Sequence, residues 1–514
     1  MTHILQNRLL LWAMPLPVTL LVAGVALVNQ SPGEARPVAT APVWPSCPSP
    51  AAIPAGYDYP QSAKTIEGWV ASNNLPRARQ HGWNIWAALN SAAGTKSVWQ
   101  SWCTETQAFS PLDPRGRSAK LAVAVTPAEP TRPMRKFKLD NGPTAGSEPI
   151  NFPVSPVYNV PAPVAARYKG TRCLQANGEL ANGATLQNNG DVMIAGVIYN
   201  KPGFDWIRGK ELYRQSTLNG LVPPAGQTRQ IPPMPVGTIA LKPMLWPVKR
   251  SGFTALPVWD SPTSDNGVYS GFEIQSQWPR AVAVTPTPQS TLVPSSVSFL
   301  YGVTMANSAG QQVPLGPNTY QRPKVVGLNQ FYHYQPNLKT MDLCDRALLD
   351  ASSYYANGRL FEQGDYLALV AMHLQTKEQA AWTFQSVWWH DRPNVGPYAA
   401  DRPAIPQARG PWQHYLMTST YGMPAVPGGS TWPIAYNPYI ELAAAHPIKT
   451  NCMNCHHRSA WPADSNEYQA PGGPGALDIY KLDNPVLAGK VQVDSLWSIS
   501  DRAIKPSTKP VGTR

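Results

Sequence analysis

The chain has 514 residues, of which 43% are hydrophobic and 18 are tryptophan, a composition that excludes a disordered polymer. Its 56 prolines remove hydrogen-bond donors from helices and strands, so we expect many short elements joined by turns and extended segments. The formal net charge of +12 favours an acidic partner or an anionic membrane surface. No basic run with interleaved aromatic residues occurs, so nucleic acid is not an expected ligand.

The N-terminal region predicts export. Residues 9–28 are apolar and uncharged and directly follow Arg8, which is typical of a signal peptide with small residues near Gly24 and Ala26 for cleavage. A run of this length could instead remain as a membrane anchor. Residues 1–35 are therefore assigned to a signal peptide or N-terminal anchor, and residues 36–60, rich in Pro and Ala, to a tether. Both interpretations place the mature chain in the periplasm or on the outer face of the cytoplasmic membrane.

Residues 61–330 are expected to form a mixed, β-rich scaffold. Helical spacing over residues 78–89 puts His81 on one face with three apolar side chains, and such a histidine is more often part of the core than a metal ligand. In residues 111–163 the apolar side chains have no regular spacing and prolines and charged residues become frequent, so we expect a long excursion of irregular chain over the surface. A short helix is predicted at residues 204–213 and a buried strand at residues 192–199.

Two further strand regions are predicted in the scaffold. Between residues 238 and 260 the apolar runs are interrupted by Pro243 and Pro247, which favours short strands at the edge of a sheet. Residues 281–284 and 297–300 are expected to form a strand pair. The predicted fold class is α+β, rich in β-structure, with short helices and much Pro-rich irregular backbone.

Of the six cysteines, four are spread through the chain before residue 345, at Cys47, Cys103, Cys173 and Cys344. An even number in an oxidising compartment permits two disulfides in three possible pairings. Buried free thiols are the alternative, and no pairing can be chosen from the sequence.

Residues 366–389 predict a β-hairpin. A continuous apolar run is followed by a polar turn at residues 376–379 and by an alternating segment, so the first strand should be buried on both faces. His373 lies inside the apolar run, where an unpaired imidazole would be costly. This histidine therefore needs a hydrogen-bond partner or a metal ion.

The sequence Cys452-Met453-Asn454-Cys455-His456 has the spacing that attaches haem c. Two thiols on one short turn can add to the two vinyl groups of a porphyrin, and His456 can then bind the iron as proximal ligand. A zinc site built on these residues would need four ligands at workable spacing, and a simple Cys452–Cys455 disulfide is a second alternative. We expect one covalent haem c, held by Cys452, Cys455 and His456.

The sixth iron ligand is not evident, because the 57 residues after His457 contain neither methionine nor histidine. A ligand must therefore come from upstream, and the candidates are His373, His414 and Met417. His414 and Met417 are three residues apart and would share one face of a helical turn. An open iron site is the alternative.

Several segments together resemble a group of exported bacterial monohaem cytochrome c family proteins. The likeness runs in patches over most of the mature chain and is carried by residues 436–441 and 451–456, by residues 237–242, by the segment around His373, and by residues 494–498. Only the haem pentapeptide is specific enough to carry functional residues across. The resemblance implies haem binding and electron transfer, with no assigned substrate.

Two functions follow as hypotheses. In the first, residues 331–514 form a haem c-binding region whose pocket combines the C-terminal segment with the hairpin, and the protein passes electrons to a redox partner with an acidic docking face. The alternative is a haem enzyme of the peroxidase or another small-oxidant type, with an open distal site. A gas-sensing or structural haem is a weaker third option. We favour electron transfer over an enzyme with its own substrate, because no distal catalytic constellation is recognisable.

Overall fold

The computed structural model describes eleven stretches of the chain: 47, 50–94, 96–110, 159–189, 192–259, 278–287, 292–306, 311–421, 437–440, 452–462 and 487–504. All of them belong to one compact unit, Val43–Arg514. The predicted signal peptide or anchor, much of the predicted tether, and nearly all of the predicted excursion at 111–163 lie outside the described residues. Within the described ranges, no helix combines the length and apolar character needed to cross a bilayer.

The helices are short, as the proline content predicts. They are α1 (Ala63–Ala71), α2 (Leu75–Leu89), α3 (Glu105–Phe109), α4 (Ala162–Tyr168), α5 (Lys201–Gly209), α6 (Gln215–Leu221), α7 (Leu343–Asn357), α8 (Cys452–His456) and α9 (Trp497–Arg502). Helix α2 begins where the Asn74 side chain accepts a hydrogen bond from Arg77 N–H. Helix α7 begins at an Asp342 cap and ends at Gly358, whose positive φ of 67° favours glycine.

The strands fall into several sheets. They are β1 (Ala92–Ala93), β2 (Lys96–Ser97), β3 (Cys103–Thr104), β4 (Gln187–Asn188), β5 (Ile194–Ala195), β6 (Ile198–Tyr199), β7 (Thr228–Gln230), β8 (Ile239–Val248), β9 (Thr254–Val258), β10 (Arg280–Thr285), β11 (Ser296–Phe299), β12 (Thr304–Ala306), β13 (Gln312–Pro314), β14 (Asn318–Gln321), β15 (Lys324–Gly327), β16 (His333–Tyr334), β17 (Tyr366–Thr376), β18 (Thr383–Trp389), β19 (Tyr415–Tyr421), β20 (Ala460–Trp461) and β21 (Lys490–Gln492). The predicted α+β, β-rich class is confirmed.

The largest sheet is antiparallel and has the order β19-β18-β17-β8-β5-β4, with β16 paired to β17, and β6 linking β3 to β8. The predicted hairpin is its centre. Thr376 is paired with Thr383 at the closed end, and β17 is buried except at Tyr366 and His373. The prediction that the first strand is buried on both faces is confirmed, because successive residues point to opposite faces and nearly all of them are buried.

The prediction of short edge strands between residues 238 and 260 is wrong for β8. This ten-residue strand lies inside the sheet, between β17 on one side and β5 and β6 on the other. Gly196 N–H donates to Pro243 O, and Asn357 Nδ2 donates to Pro247 O, so both prolines turn away from β17. In an antiparallel strand the N and O of one residue point to the same side, so the missing N–H groups cost β17 no ladder bond. The break between β5 and β6 faces Pro243.

Other scaffold predictions are corrected in detail. The strand predicted at residues 192–199 is divided into β5 and β6, and the helix predicted at residues 204–213 is α5, which begins and ends earlier. Strands β10 and β11 occur where predicted but do not pair with each other, since β10 lies between β9 and β15 and β11 pairs with β14. The helix predicted at residues 78–89 is confirmed as α2, and His81 is buried in its core face.

Two disulfides connect distant parts of the chain. Cys47 is bonded to Cys103 across 56 residues, with a Cα–Cα distance of 5.3 Å. Cys173 is bonded to Cys344 on α7 across 171 residues, with a Cα–Cα distance of 4.9 Å. The prediction of disulfides is confirmed, and this chemistry is consistent with an oxidising compartment outside the cytoplasm.

Candidate functional site

The pentapeptide with the haem-attachment spacing forms the short helix α8. Cys452 and Met453 are buried in a hydrophobic cluster to which the large sheet contributes Phe384 and the C-terminal segment contributes Val491 and Val493. The Cys455 side chain lies outside the described part of the structure. Helix α8 thus puts the backbone of both cysteines on one turn, as attachment to a single porphyrin edge requires.

The His456 imidazole is oriented by a backbone carbonyl. Its Nδ1 lies 2.8 Å from Ser495 O, and the Phe384 ring packs against it with 4.5 Å between ring centroids. A carbonyl oxygen can only accept a hydrogen bond, so Nδ1 carries the proton in this contact. The Nε2 lone pair is thereby left on the side of the ring that faces away from Ser495.

The acceptor carbonyl is shared with the hairpin. Gln375 Nε2 on β17 donates to the same Ser495 O at 2.9 Å. Gln375 is paired with Phe384 on β18, so these two side chains lie on one face of the sheet. The hairpin therefore contacts His456 in two ways, through the Phe384 ring and through the carbonyl that binds both Gln375 and His456.

A buried carboxylate holds the turn that carries this carbonyl. Asp494, 2% exposed, accepts hydrogen bonds from Lys377 Nζ at 2.8 Å, Trp382 Nε1 at 3.0 Å, Gln230 Nε2 at 3.3 Å and the Met234 N–H at 2.7 Å. Burial holds the pKa of Lys377 below its usual value, although the neighbouring Asp494 carboxylate opposes this shift. The Lys377 ammonium also lies 5.2 Å from the centroid of the Trp382 ring.

Of the candidate sixth ligands, His373 lies on the same face of the sheet as His456. It is two residues, or about 7 Å, from Gln375 on β17, and alternate residues of a strand point to the same side. Its Nδ1 is 2.7 Å from Ser386 Oγ, which also accepts from Asn437 Nδ2 at 2.9 Å. Ser386 is therefore the hydrogen-bond partner that was predicted for His373, and His373 would bind iron through Nε2.

Met417 lies on the opposite face. It is paired with Val387 and so points to the same side as Gln385, whereas Phe384 points to the His456 side. A Cβ atom placed on Gly82 of α2 would lie 2.7 Å from Gln385 Cγ and 3.3 Å from Met417 Sδ. Met417 is thus packed beneath helix α2, and the structure does not bring it together with His456.

His414 is also remote from His456. It ends a 3-10 turn at Trp412–His414, immediately before β19. Thr420, opposite Phe384, is six residues further along the strand, which is about 20 Å. Burial lowers the pKa of His414, and the positive charges of Arg402 and Lys324 lower it further. The predicted pairing of His414 with Met417 on one helical turn is wrong, because residues 415–421 form a strand.

Sequence reasoning missed Gln375, Asp494 and Ser495. The group that binds His456 is a main-chain carbonyl, which every residue possesses, and it lies 39 residues away in the sequence. No residue type or spacing signals such a contact. Asp494 and Lys377 are charged residues in mostly apolar surroundings, and their mutual burial follows only from the packing of the hairpin against the C-terminal segment.

The contact between His456 and the Ser495 carbonyl is of the kind that a metal-binding histidine makes. Histidines that bind metals almost always donate their second ring N–H to a carbonyl or carboxylate, and Ser495 O provides that acceptor for His456. Among the described residues, no group of three or more His, Cys, Asp or Glu side chains is arranged to hold a metal ion.

Comparison of the chain with protein-family models, curated proteins and solved structures gives no match.

Proposed function

We propose that this chain is an exported haem c protein that transfers electrons. The observation that carries the proposal is the contact between His456 Nδ1 and Ser495 O within a Cys-x-x-Cys-His helix. The spacing of the pentapeptide suits covalent attachment, and the contact presents Nε2 as a ligand. The two disulfides support folding in an oxidising compartment, where haem c proteins would mature.

Each residue has a defined part in this proposal. Cys452 and Cys455 would form the thioether bonds, and His456 Nε2 would bind the iron. Phe384 and Ser495 hold the imidazole in place, and the buried surroundings of Cys452 and Met453 exclude water from the attachment turn. When bound, haem c supplies one-electron redox chemistry, with a potential that depends on burial and on hydrogen bonding to its ligands.

His373 is the sixth ligand that best suits this arrangement. It lies on the His456 face of the sheet, and Ser386 fixes the orientation of its ring through Nδ1. Two axial histidines would favour electron transfer over reaction with small oxidants, since no coordination position would be left open. The net charge of +12 supports a redox partner with an acidic docking face.

The first test is covalent haem attachment. The full chain and its Cys452→Ser/Cys455→Ser variant are made in a host that matures c-type cytochromes, and both are run on a denaturing gel stained for haem peroxidase activity. We expect staining of the full chain and none of the variant. An unstained full chain that is folded and exported would overturn the proposal.

The second test separates the carrier from the enzyme. A low-spin absorption spectrum that cyanide and carbon monoxide leave unchanged supports electron transfer with both axial positions filled. A high-spin ferric form that reacts with hydrogen peroxide would instead establish the alternative, a haem enzyme with an open distal site.

A further inference from the structure

The turn beneath His456 has an unusual backbone. Asp494 and Ser495 have positive φ values of 49° and 65°, in the left-handed region that residues with a Cβ rarely adopt. Such a residue is strained and persists only where its surroundings determine the conformation. Two in succession require a strong local constraint, and both residues are almost completely buried.

The Asp494 carboxylate provides that constraint. Its four donors come from two separate parts of the chain: Gln230 at the end of β7 with Met234 shortly after it, and Lys377 with Trp382 at the end of the hairpin. The turn itself closes where Leu496 N–H donates to Val493 O at 3.1 Å. Hydrogen bonds to a buried carboxylate are stronger than those between neutral groups. The position of the next carbonyl, Ser495 O, is therefore set through Asp494.

We propose that Asp494 is the positioning residue for His456. By holding the left-handed turn, it aims Ser495 O at Nδ1, and this contact selects the tautomer whose Nε2 lone pair can bind a metal. Gln375 supports the same carbonyl from the sheet side. The hydrogen bonds of the Asp494 carboxylate in the described part of the structure go to Gln230, Met234, Lys377 and Trp382, so we expect it to act on His456 through Ser495. The consequence for a bound haem rests on the proposed function, whereas the effect on His456 does not.

The neighbouring residue offers a matched control. Glu378 directly follows Lys377 and also makes a buried contact, with His81 Nε2 at 2.9 Å, Gln61 N–H at 2.7 Å and Thr376 Oγ1 at 3.1 Å. These partners are on helix α2, in the segment before helix α1 and on strand β17, and none of these three groups is hydrogen-bonded to Asp494 or Ser495 in the described part of the structure. Glu378→Gln therefore disturbs a buried acidic group at the same end of the hairpin without removing a hydrogen bond from the turn beneath His456.

The experiment measures the His456 tautomer in the absence of haem. In the full chain carrying Cys452→Ser/Cys455→Ser, the ring nitrogens of ¹⁵N-labelled histidine are observed by NMR at a pH where the ring is neutral, and His456→Gln identifies the signals. We expect a protonated Nδ1 in this parent. Asp494→Asn should shift the signals toward the other tautomer, whereas Glu378→Gln should leave them unchanged.

In the haem-loaded protein, Asp494→Asn should raise the midpoint potential, because a weaker Nδ1 hydrogen bond makes the ligand less basic.

Trp382→Phe provides a second variant in case Asp494→Asn does not fold. It removes one hydrogen-bond donor to Asp494 and keeps an aromatic ring at this position. We expect a smaller shift of the His456 signals in the same direction. A folded Asp494→Asn or Trp382→Phe variant with the tautomer of the parent would overturn the proposal. Equal shifts for Glu378→Gln and Asp494→Asn would overturn it as well. A negative haem stain of the full chain would refute the haem function alone, since the NMR comparison is made without haem.

Discussion

Lys377 and Glu378 are consecutive residues that make buried polar contacts with two different parts of the fold. Lys377 Nζ lies 2.8 Å from Asp494 Oδ1 in the C-terminal segment, and Glu378 Oε1 lies 2.9 Å from His81 Nε2 on α2. All four side chains are at most 3% exposed. The end of the hairpin therefore connects helix α2 with the turn that supports His456.

Lys377→Met should destabilise the protein strongly. The substitution leaves the Asp494 carboxylate buried without its cation, and breaking such a pair from one side costs about 3–5 kcal/mol. The free energy of unfolding, measured by denaturant titration, tests this expectation. The same substitution at exposed Lys64 on α1 is the control and should change stability by less than about 0.5 kcal/mol. Similar losses for both variants would contradict the assigned contact.

The face of the sheet on which each candidate ligand lies predicts spectra of the haem-loaded protein. Met417→Leu should leave the absorption spectrum unchanged, because Met417 packs under α2 on the side away from His456, and should cost less than about 1.5 kcal/mol of stability. His373→Gln should convert a low-spin spectrum to a high-spin one if His373 is the sixth ligand. A spectral change in Met417→Leu alone would reverse this assignment.

Asp345 predicts a pH dependence of stability. Burial raises the pKa of this carboxyl to about 6, although Leu186 N–H donates to it at 2.8 Å and opposes the shift. Because the folded pKa is above the value of about 3.9 in the unfolded chain, the contribution of Asp345 to stability is complete below pH 4 and is lost as the pH rises through 6. The loss amounts to roughly 3 kcal/mol.

Asp345→Asn is the matched variant, since an amide oxygen can accept the same backbone hydrogen bonds and does not titrate. The difference in unfolding free energy between this variant and the natural chain should move in favour of the variant between pH 4 and pH 7. A difference that stays constant over this range would show that Asp345 titrates alike in the folded and unfolded states.

Gly82 and Gly68 predict opposite effects of substitution by alanine. Alanine usually stabilises a helix relative to glycine by about 0.5–1 kcal/mol, and Gly68 on α1 has open space for a Cβ. At Gly82 on α2 the added carbon would meet Gln385 Cγ at 2.7 Å, so overpacking of about 1–3 kcal/mol should dominate. Thermal unfolding of the two variants should therefore shift in opposite directions. A stabilised Gly82→Ala variant would show that β18 can move away from α2 at little cost.

Local patterns in the sequence determined several features of this protein. The apolar run, the polar turn and the alternating segment were enough to predict the hairpin β17–β18, and helical spacing predicted α2 with His81 on its buried face. These features depend on neighbours in the chain. The haem-attachment pentapeptide is local in the same sense, because its chemistry requires two thiols and an imidazole within one turn.

Tertiary structure decided the rest. Because successive side chains of a strand point to opposite faces of the sheet, Met417 and Thr418 on β19 must point to different sides. Only the packing of α2 against the sheet decides which face carries Met417. The pairing of Cys173 with Cys344 joins residues 171 positions apart, beyond the reach of any local rule. The acceptor of His456 Nδ1 is a main-chain oxygen, chemically identical in every residue, so its identity emerges only when Asp494 is buried among donors from distant parts of the chain.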